Sequence, residues 1–319
     1  MHSDDAYAAM LLTMALAPNK EESVRPCSVQ EFRQIEAKAR DSQFRRVGRL
    51  MGVDISGLMI HLGLSEEEAY RLYLLLNRSV QLSYALDGFA REGIEVVTLY
   101  DEEYPERLRR KLTDASPPFL YRCGEAALLN RPAVAVMGIS GVKTTQEVRK
   151  AVEALVKWAS GQGYAVLTGG EPGVSRLVEG LAEQYRCPLV SVLGGALSEN
   201  VRGSDTAEGI AAGLRVALSL EHPEAMFTAS HAIARNKVMF ALAEAAFVFN
   251  TDGKRGEIDA LRNGVCDWIY AWEGWEGNRA LLQRGARPIR MLDEAMLDEM
   301  SERWRSSRAE QMSLFDYLQ

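Results

Sequence analysis

Apolar positions recur along this chain with two different periods, and the change falls near Arg131-Pro132. Before it the spacing is helical. Ala69, Leu72, Tyr73 and Leu76 share one helix face, and Ser65 with Glu68 three positions on forms a capping box that opens the helix. Leu58, His61 and Leu62 lie ahead of it, before Gly63. A further helix is predicted over 80–92, stopped by Gly93 where glycine readily takes the left-handed conformation. A short strand at 94–99 follows. Residues 100–124 then read as a connector with Tyr104-Pro105, Pro117-Pro118 and a short strand at 119–121.

After Arg131-Pro132, short continuous apolar runs alternate with amphipathic stretches. The run 133–137 is a buried strand ending at Gly138. Thr144 and Glu147 predict a second capping box, and the helix it opens places Val148, Val152, Leu155, Val156 and Ala159 on one face. Strands follow at 164–167, 188–193, 215–220, 246–249 and 267–271, with helices between them at 174–185, 205–212, 228–243 and 256–262. Strands alternating with helices of this length form βαβ units and a mostly parallel sheet with helices on both faces. The expected fold class is α/β: a Rossmann-like domain at 132–275, a small all-helical N-terminal domain at 1–92, a connector at 93–131, and a C-terminal helical tail at 276–319. In that tail an amphipathic helix at 292–304 gives way to a polar stretch at 306–310 and a final apolar cluster.

Composition narrows the classes of function. The chain has 319 residues, 47% hydrophobic and 25% charged, which suits a globular protein of two folded units. No apolar run approaches the roughly 20 residues of a membrane span. Met1-His2-Ser3-Asp4-Asp5 is acidic where a secretory signal is basic, so a soluble, cytoplasmic protein is expected. Cys27, Cys123, Cys187 and Cys266 form no CxxC pair and the four histidines are scattered, so neither a metal nor a cofactor is expected. A formal net charge of −7 excludes a chain that is basic throughout, but leaves room for one cationic patch.

Ligands of open α/β sheets bind at the carboxyl ends of the strands. Three segments reach that edge. The turn after the first strand holds Gly138, Ser140 and Lys143, and the next holds Thr168, Gly169, Gly170 and Gly173. Neither matches GxGxxG or GxxxxGK[ST], so each is either an anion site or a plain tight turn. The third segment is Arg235-Asn236-Lys237 in the long helix; residues two apart diverge by about 200°, so the two cations cannot share a face. Lys254-Arg255 adds charge near a strand end. Catalytic signals are poor. Ser140 and Ser175 lack a GxSxG setting and a placed histidine base, and the Glu171 and Glu179 carboxylates read as a structural or solvated pair. No enzyme is expected.

These segments together resemble the DprA/Smf family of DNA-processing proteins, over roughly 94–274. Tyr104-Pro105-Glu106-Arg107-Leu108 resembles the family's YPxxL, and the stretch from Pro117-Pro118 through Leu120-Tyr121 to Gly124 its PPxxLYxxG. The strand ending at Gly138 resembles VAIVG, Thr168–Val174 falls on SGxAxGID, Val192-Leu193-Gly194-Gly195 on VLGxG, and Arg235-Asn236-Lys237 on RNR. The chain departs from the pattern where GSR becomes Gly138-Ile139-Ser140, where the aspartate becomes Ser175 and the following histidine Glu179, and where a Ser-Gly-Ser loop becomes Lys254-Arg255-Gly256-Glu257. The resemblance implies a single-stranded DNA binder in which Arg235 and Lys237 contact phosphates, with Asn236, the two glycine turns, Lys143, Lys254 and Arg255 around them. It also implies a homodimer, a SAM-like N-terminal module and a partner in a RecA-type recombinase.

The tail adds a second partner. Gln311-Met312-Ser313-Leu314-Phe315 is similar to the short sliding-clamp-binding peptide, in a terminus expected to be disordered. The alternative is that it docks on its own domain. For the chain as a whole, the alternative is a nucleotide- or small-ligand-binding sensor or hydrolase of the same superfamily. That reading predicts a melting shift with mononucleotides and indifference to oligonucleotides.

Overall fold

Side-chain caps fix the helix starts of the N-terminal region. Ser3 accepts from the Ala6 amide, Asp54 from Gly57, and Ser28 and Ser65 each close a reciprocal capping box with the glutamate three residues on. The structure, a computed structural model, describes residues 2–17, 23–252 and 255–316, without the side chains of 255–258 and 307–316. It divides into two units.

The first unit consists of Met1–Gly124, Leu193–Glu208 and Ala217–His231. Its helices α1 (Asp4–Thr13), α2 (Val29–Asp41), α3 (Ile55–Leu62), α4 (Glu66–Leu76) and α5 (Ser79–Arg91) surround a core that includes Phe32, Leu50, Leu58 and Leu75. The predicted stripe of α4 is on that core: Ala69, Leu72 and Leu76 are buried. Strand β1 (Glu95–Thr98), helix α6 (Glu106–Leu112) and strand β2 (Phe119–Gly124) follow, and β1 pairs antiparallel with β2, Glu95 opposite Arg122.

The second unit consists of Glu125–Val192, Gly209–Val216 and Ala232–Gln319. The chain runs through β3 (Ala133–Gly138), α7 (Gln146–Gln162), β4 (Ala165–Thr168), α8 (Val174–Gln184) and β5 (Leu189–Leu193), then through α9 (Leu197–Arg202), which belongs to the first unit, and on through α10 (Ser204–Ala211) and β6 (Arg215–Ser219), which each have residues in both. It continues through α11 (Ala229–Leu242), β7 (Ala245–Asn250), α12 (Arg255–Arg262), β8 (Trp268–Trp272), α13 (Arg279–Leu282), β9 (Arg287–Ile289) and α14 (Glu294–Asp316). The strands lie in the order β6-β5-β4-β3-β7-β8-β9. The pairs β3–β4, β4–β5, β3–β7, β7–β8 and β8–β9 are parallel. This is the mostly parallel Rossmann-like sheet expected. From β3 the chain first builds outward through β4 and then returns to place β7 on the other side, so the order reverses between β3 and β7. That crevice is where doubly wound sheets bind ligands.

The predicted face of α7 is buried in the core, where Trp304 of α14 joins it. The Trp304 ring lies 5.9 Å from Trp158 and 6.1 Å from Phe247, and its Nε1 donates to Tyr270 Oη at 3.1 Å. Several elements differ from expectation. Helix α9 and strand β9 are additional, both too short to show a period. Helix α7 is capped by Thr145, not Thr144: Thr145 Oγ1 accepts the Val148 amide, which leaves Glu147 in the first turn with its carboxylate on its own backbone N–H. The polar stretch 306–310 does not end the last helix. Its backbone stays helical to Asp316, so residues 311–315 are helical where disorder was expected. No described helix is long and apolar enough to cross a membrane.

Candidate nucleic-acid interface

The two glycine turns meet at the carboxyl edge of the second unit's sheet. Gly138 closes β3 where a Cβ would come 2.7 Å from Asn250 Oδ1 and 2.9 Å from the Val174 side chain. Asn250, the last residue of β7, accepts the Ile139 amide at 2.7 Å, tying the β3–α7 turn to the neighbouring strand. Gly173 supplies φ +111 at the start of α8, and its Cα faces the carbonyls of Ile139 and Val142. The sequence therefore uses glycine here to let one turn pack on the other. Ser140 and Lys143 remain exposed on the β3–α7 turn.

Arg235 does not face solvent as a phosphate contact would. Its residue is 5% exposed, because it lies on the same face of α11 as Val238 and Met239, both buried. The guanidinium reaches the ends of β4 and β5, where Nη1 donates to Gly169 O at 2.7 Å and to Val192 O at 3.4 Å. Nη2 is ion-paired with Glu171 from the β4–α8 turn. In this structure its donors are taken by the chain's own carbonyls and carboxylate. Arg235 Nε and Thr168 Oγ1 are buried without a partner among the described residues. Lys237 is exposed on another face of the helix, as two-residue spacing requires, and Asn236 is half-buried.

Glu179 is also structural: it is 7% exposed and accepts from Arg215 and Arg176, each at 3.1 Å. Ser175 is buried in the first turn of α8. Lys254 lies outside the described residues, and Arg255 opens α12 with its side chain outside them. For Gln311, Met312, Ser313, Leu314 and Phe315 only the helical backbone is described.

The family model of DNA recombination-mediator protein A matches residues 95–300. The chain belongs to this family. The match takes in both glycine turns and the Arg235–Lys237 segment of the recombination-mediator domain. DNA processing protein A from Streptococcus pneumoniae superposes with a TM-score of 0.63 at 17% identity, covering 85% of this chain and 93% of that one. DNA processing protein A from Helicobacter pylori, described for its single-stranded DNA binding mode, superposes with a TM-score of 0.52 at 19% identity, covering 66% and 98%. At these identities the likeness is one of fold. No curated protein matches the chain.

Sequence reasoning missed two partners at this edge of the sheet. Glu171 as the counter-ion of Arg235 is separated from it by 64 positions and carries no local signal. Asn250 sits at a strand end like any other polar residue. The tandem Trp272-Glu273-Gly274-Trp275-Glu276-Gly277 was a readable signal beside them, because two tryptophans in six residues at a strand end are unusual for a plain turn.

Proposed function

We propose that this chain is a single-stranded DNA-binding DNA-processing protein that assists loading of a RecA-type recombinase, without catalysis of its own. The observation that carries the reading is the family match over 95–300, which includes the ligand edge of the sheet. The exposed lysines Lys143 and Lys237 are the direct phosphate contacts in this reading. Arg235 acts through position, holding the β4–α8 turn by its bonds to Gly169 and Glu171. A cytoplasmic homodimer, with residues 311–315 engaging a sliding clamp, completes the proposal.

The test is fluorescence anisotropy with a labelled single-stranded oligonucleotide at low and moderate salt. Lys143→Ala and Lys237→Ala change exposed residues and should leave the fold intact. Each is expected to weaken binding uniformly across sequences and to reduce the salt slope by about one. Absence of binding by the wild type at low salt overturns the reading.

A further inference from the structure

The turn between β4 and α8 reads Gly169-Gly170-Glu171-Pro172-Gly173, and its one charged side chain lies on Arg235. Gly170 and Gly173 have φ +81 and +111, so the carboxylate is carried between two positions whose backbone freedom other residues lack. Of the pair, Glu171 is the more exposed: its side chain is at 15% against 7% for Arg235. The pair meets water through the carboxylate.

Glu171 is not what positions the arginine. Nη1 is already held by Gly169 O at 2.7 Å and Val192 O at 3.4 Å, two backbone carbonyls at the ends of β4 and β5. Glu171 adds charge where orientation is fixed without it. The polar groups beside it are not saturated. Arg235 Nε and Thr168 Oγ1, in residues 5% and 0% exposed, have no partner among the described residues. Burying a charge pair costs desolvation, which a single carboxylate on an arginine with a donor to spare recovers only in part. Such a contact is open to displacement by another anion. A phosphodiester carries the same single charge as a carboxylate and offers a guanidinium the same pair of oxygens. The pattern on which Thr168–Val174 falls, SGxAxGID, has alanine at the place of Glu171, so the carboxylate is a feature of this chain and not of the motif.

We infer that Glu171 is an autoinhibitory counter-ion: it occupies Arg235 in the free protein and has to swing away on its glycine-flanked turn before a strand phosphate reaches the guanidinium. The inference rests on the single-stranded DNA reading above and adds regulation to it. A strand is first held by the exposed Lys143 and Lys237, and then competes with Glu171 for Arg235. Apparent affinity is lowered according to the fraction of molecules in which the pair is closed. The pair also removes Arg235 from the salt dependence, because an arginine neutralised by its own chain neutralises no phosphate until the pair opens.

The test is fluorescence anisotropy with a labelled single-stranded oligonucleotide over a range of salt. It compares wild type, Glu171→Gln, Glu147→Gln and the double variant Glu171→Gln/Arg235→Met. Glu171→Gln is expected to bind about tenfold tighter at low salt, with a salt slope steeper by about one. Glu147→Gln removes an exposed negative charge from the first turn of α7, at the same edge of the sheet, and is expected to gain clearly less with an unchanged slope. The double variant, with an apolar chain in place of the buried cation, is expected to lose the gain. A folded Glu171→Gln that binds no tighter than wild type, a gain matched by Glu147→Gln, or a gain that survives the loss of Arg235 overturns the inference.

Circular dichroism checks the fold of each variant. Should Glu171→Gln not fold, Glu171→Asp replaces it in every comparison, since it keeps the charge but shortens its reach by one methylene. Absence of wild-type binding at low salt overturns the DNA reading, and inorganic sulfate then decides the role of Glu171 alone. A melting temperature raised by sulfate more in the Glu171 variant than in wild type supports competition between the carboxylate and an anion for Arg235; equal shifts overturn it.

Discussion

Glu171 holds the guanidinium of Arg235 out of water: the two side chains are 15% and 7% exposed, and they are ion-paired across the β4–α8 turn. The arginine most expected to receive a phosphate is thus already neutralised by a carboxylate of the same chain. Glu171→Gln leaves a buried cation without its counter-charge and is expected to cost about 3 kcal/mol. Added sulfate is expected to restore part of the loss by taking the vacated place. Urea denaturation with and without sulfate measures both, and a variant as stable as wild type would show that the pair contributes nothing.

Gly169 is required at that same contact, because a Cβ there would collide with the Arg235 guanidinium and the Glu171 carboxylate. Gly169→Ala is expected to destabilise the second unit by about 1–3 kcal/mol, as overpacking of a filled site does. Gly161→Ala, with nothing near its Cβ, is the control and is expected to be neutral or stabilising. Equal denaturation midpoints for the two variants would contradict the packing argument.

Trp304 fastens α14 to the aromatic cluster of the second unit, 3% exposed and bonded to Tyr270 Oη. Trp304→Ala is expected to cost about 3–5 kcal/mol. Trp304→Phe retains most of the ring packing but not the hydrogen bond, and should cost clearly less. Proteolysis confined to the residues after Leu292 would locate the loss in this helix; an intact helix in the alanine variant would contradict the docking.

Glu31 joins α2 to α4 through Arg71, at 3.0 Å. Burial works to raise its carboxyl, but hydrogen bonds from Arg71, the Ser28 amide and Arg25 outweigh it and bring the pKa from 4.5 to about 2. A group depressed on folding stabilises fully above its unfolded value and loses that contribution as pH falls through the folded one. First-unit stability is therefore expected to decline between about pH 4.5 and about pH 2. Glu31→Gln should flatten part of that decline; an identical profile would refute the assignment.

The thiols are expected to be inert in the folded chain. Burial pushes Cys27 up to about 11 and Cys187 up to about 12, and raises Cys123 as well. Alkylation near neutral pH should label none of the four until denaturant is added, since the thiolate is the reactive form. Rapid labelling of the native protein would contradict this burial.

The α/β alternation was legible because each strand is a short apolar run and each helix has a polar face, as Val134 and Val152 illustrate. The family motifs were legible for the same local reason: glycines at Gly138 and Gly173 mark turns whatever surrounds them. What was not legible is tertiary. Which cation of Arg235 and Lys237 turns inward depends on how α11 rolls against β4 and β5, and on a carboxylate far away in sequence. The Thr144–Thr145 choice of cap was likewise a one-residue question of register that two adjacent threonines leave open.

The aromatic cluster around Trp304 belongs to a wider asymmetry. All five tryptophans, Trp158, Trp268, Trp272, Trp275 and Trp304, are in the second unit. Indole emission from this protein therefore reports on that unit alone, while far-ultraviolet circular dichroism sees the helices of both. The gap between the two transition curves is a direct optical measure of whether the units melt together.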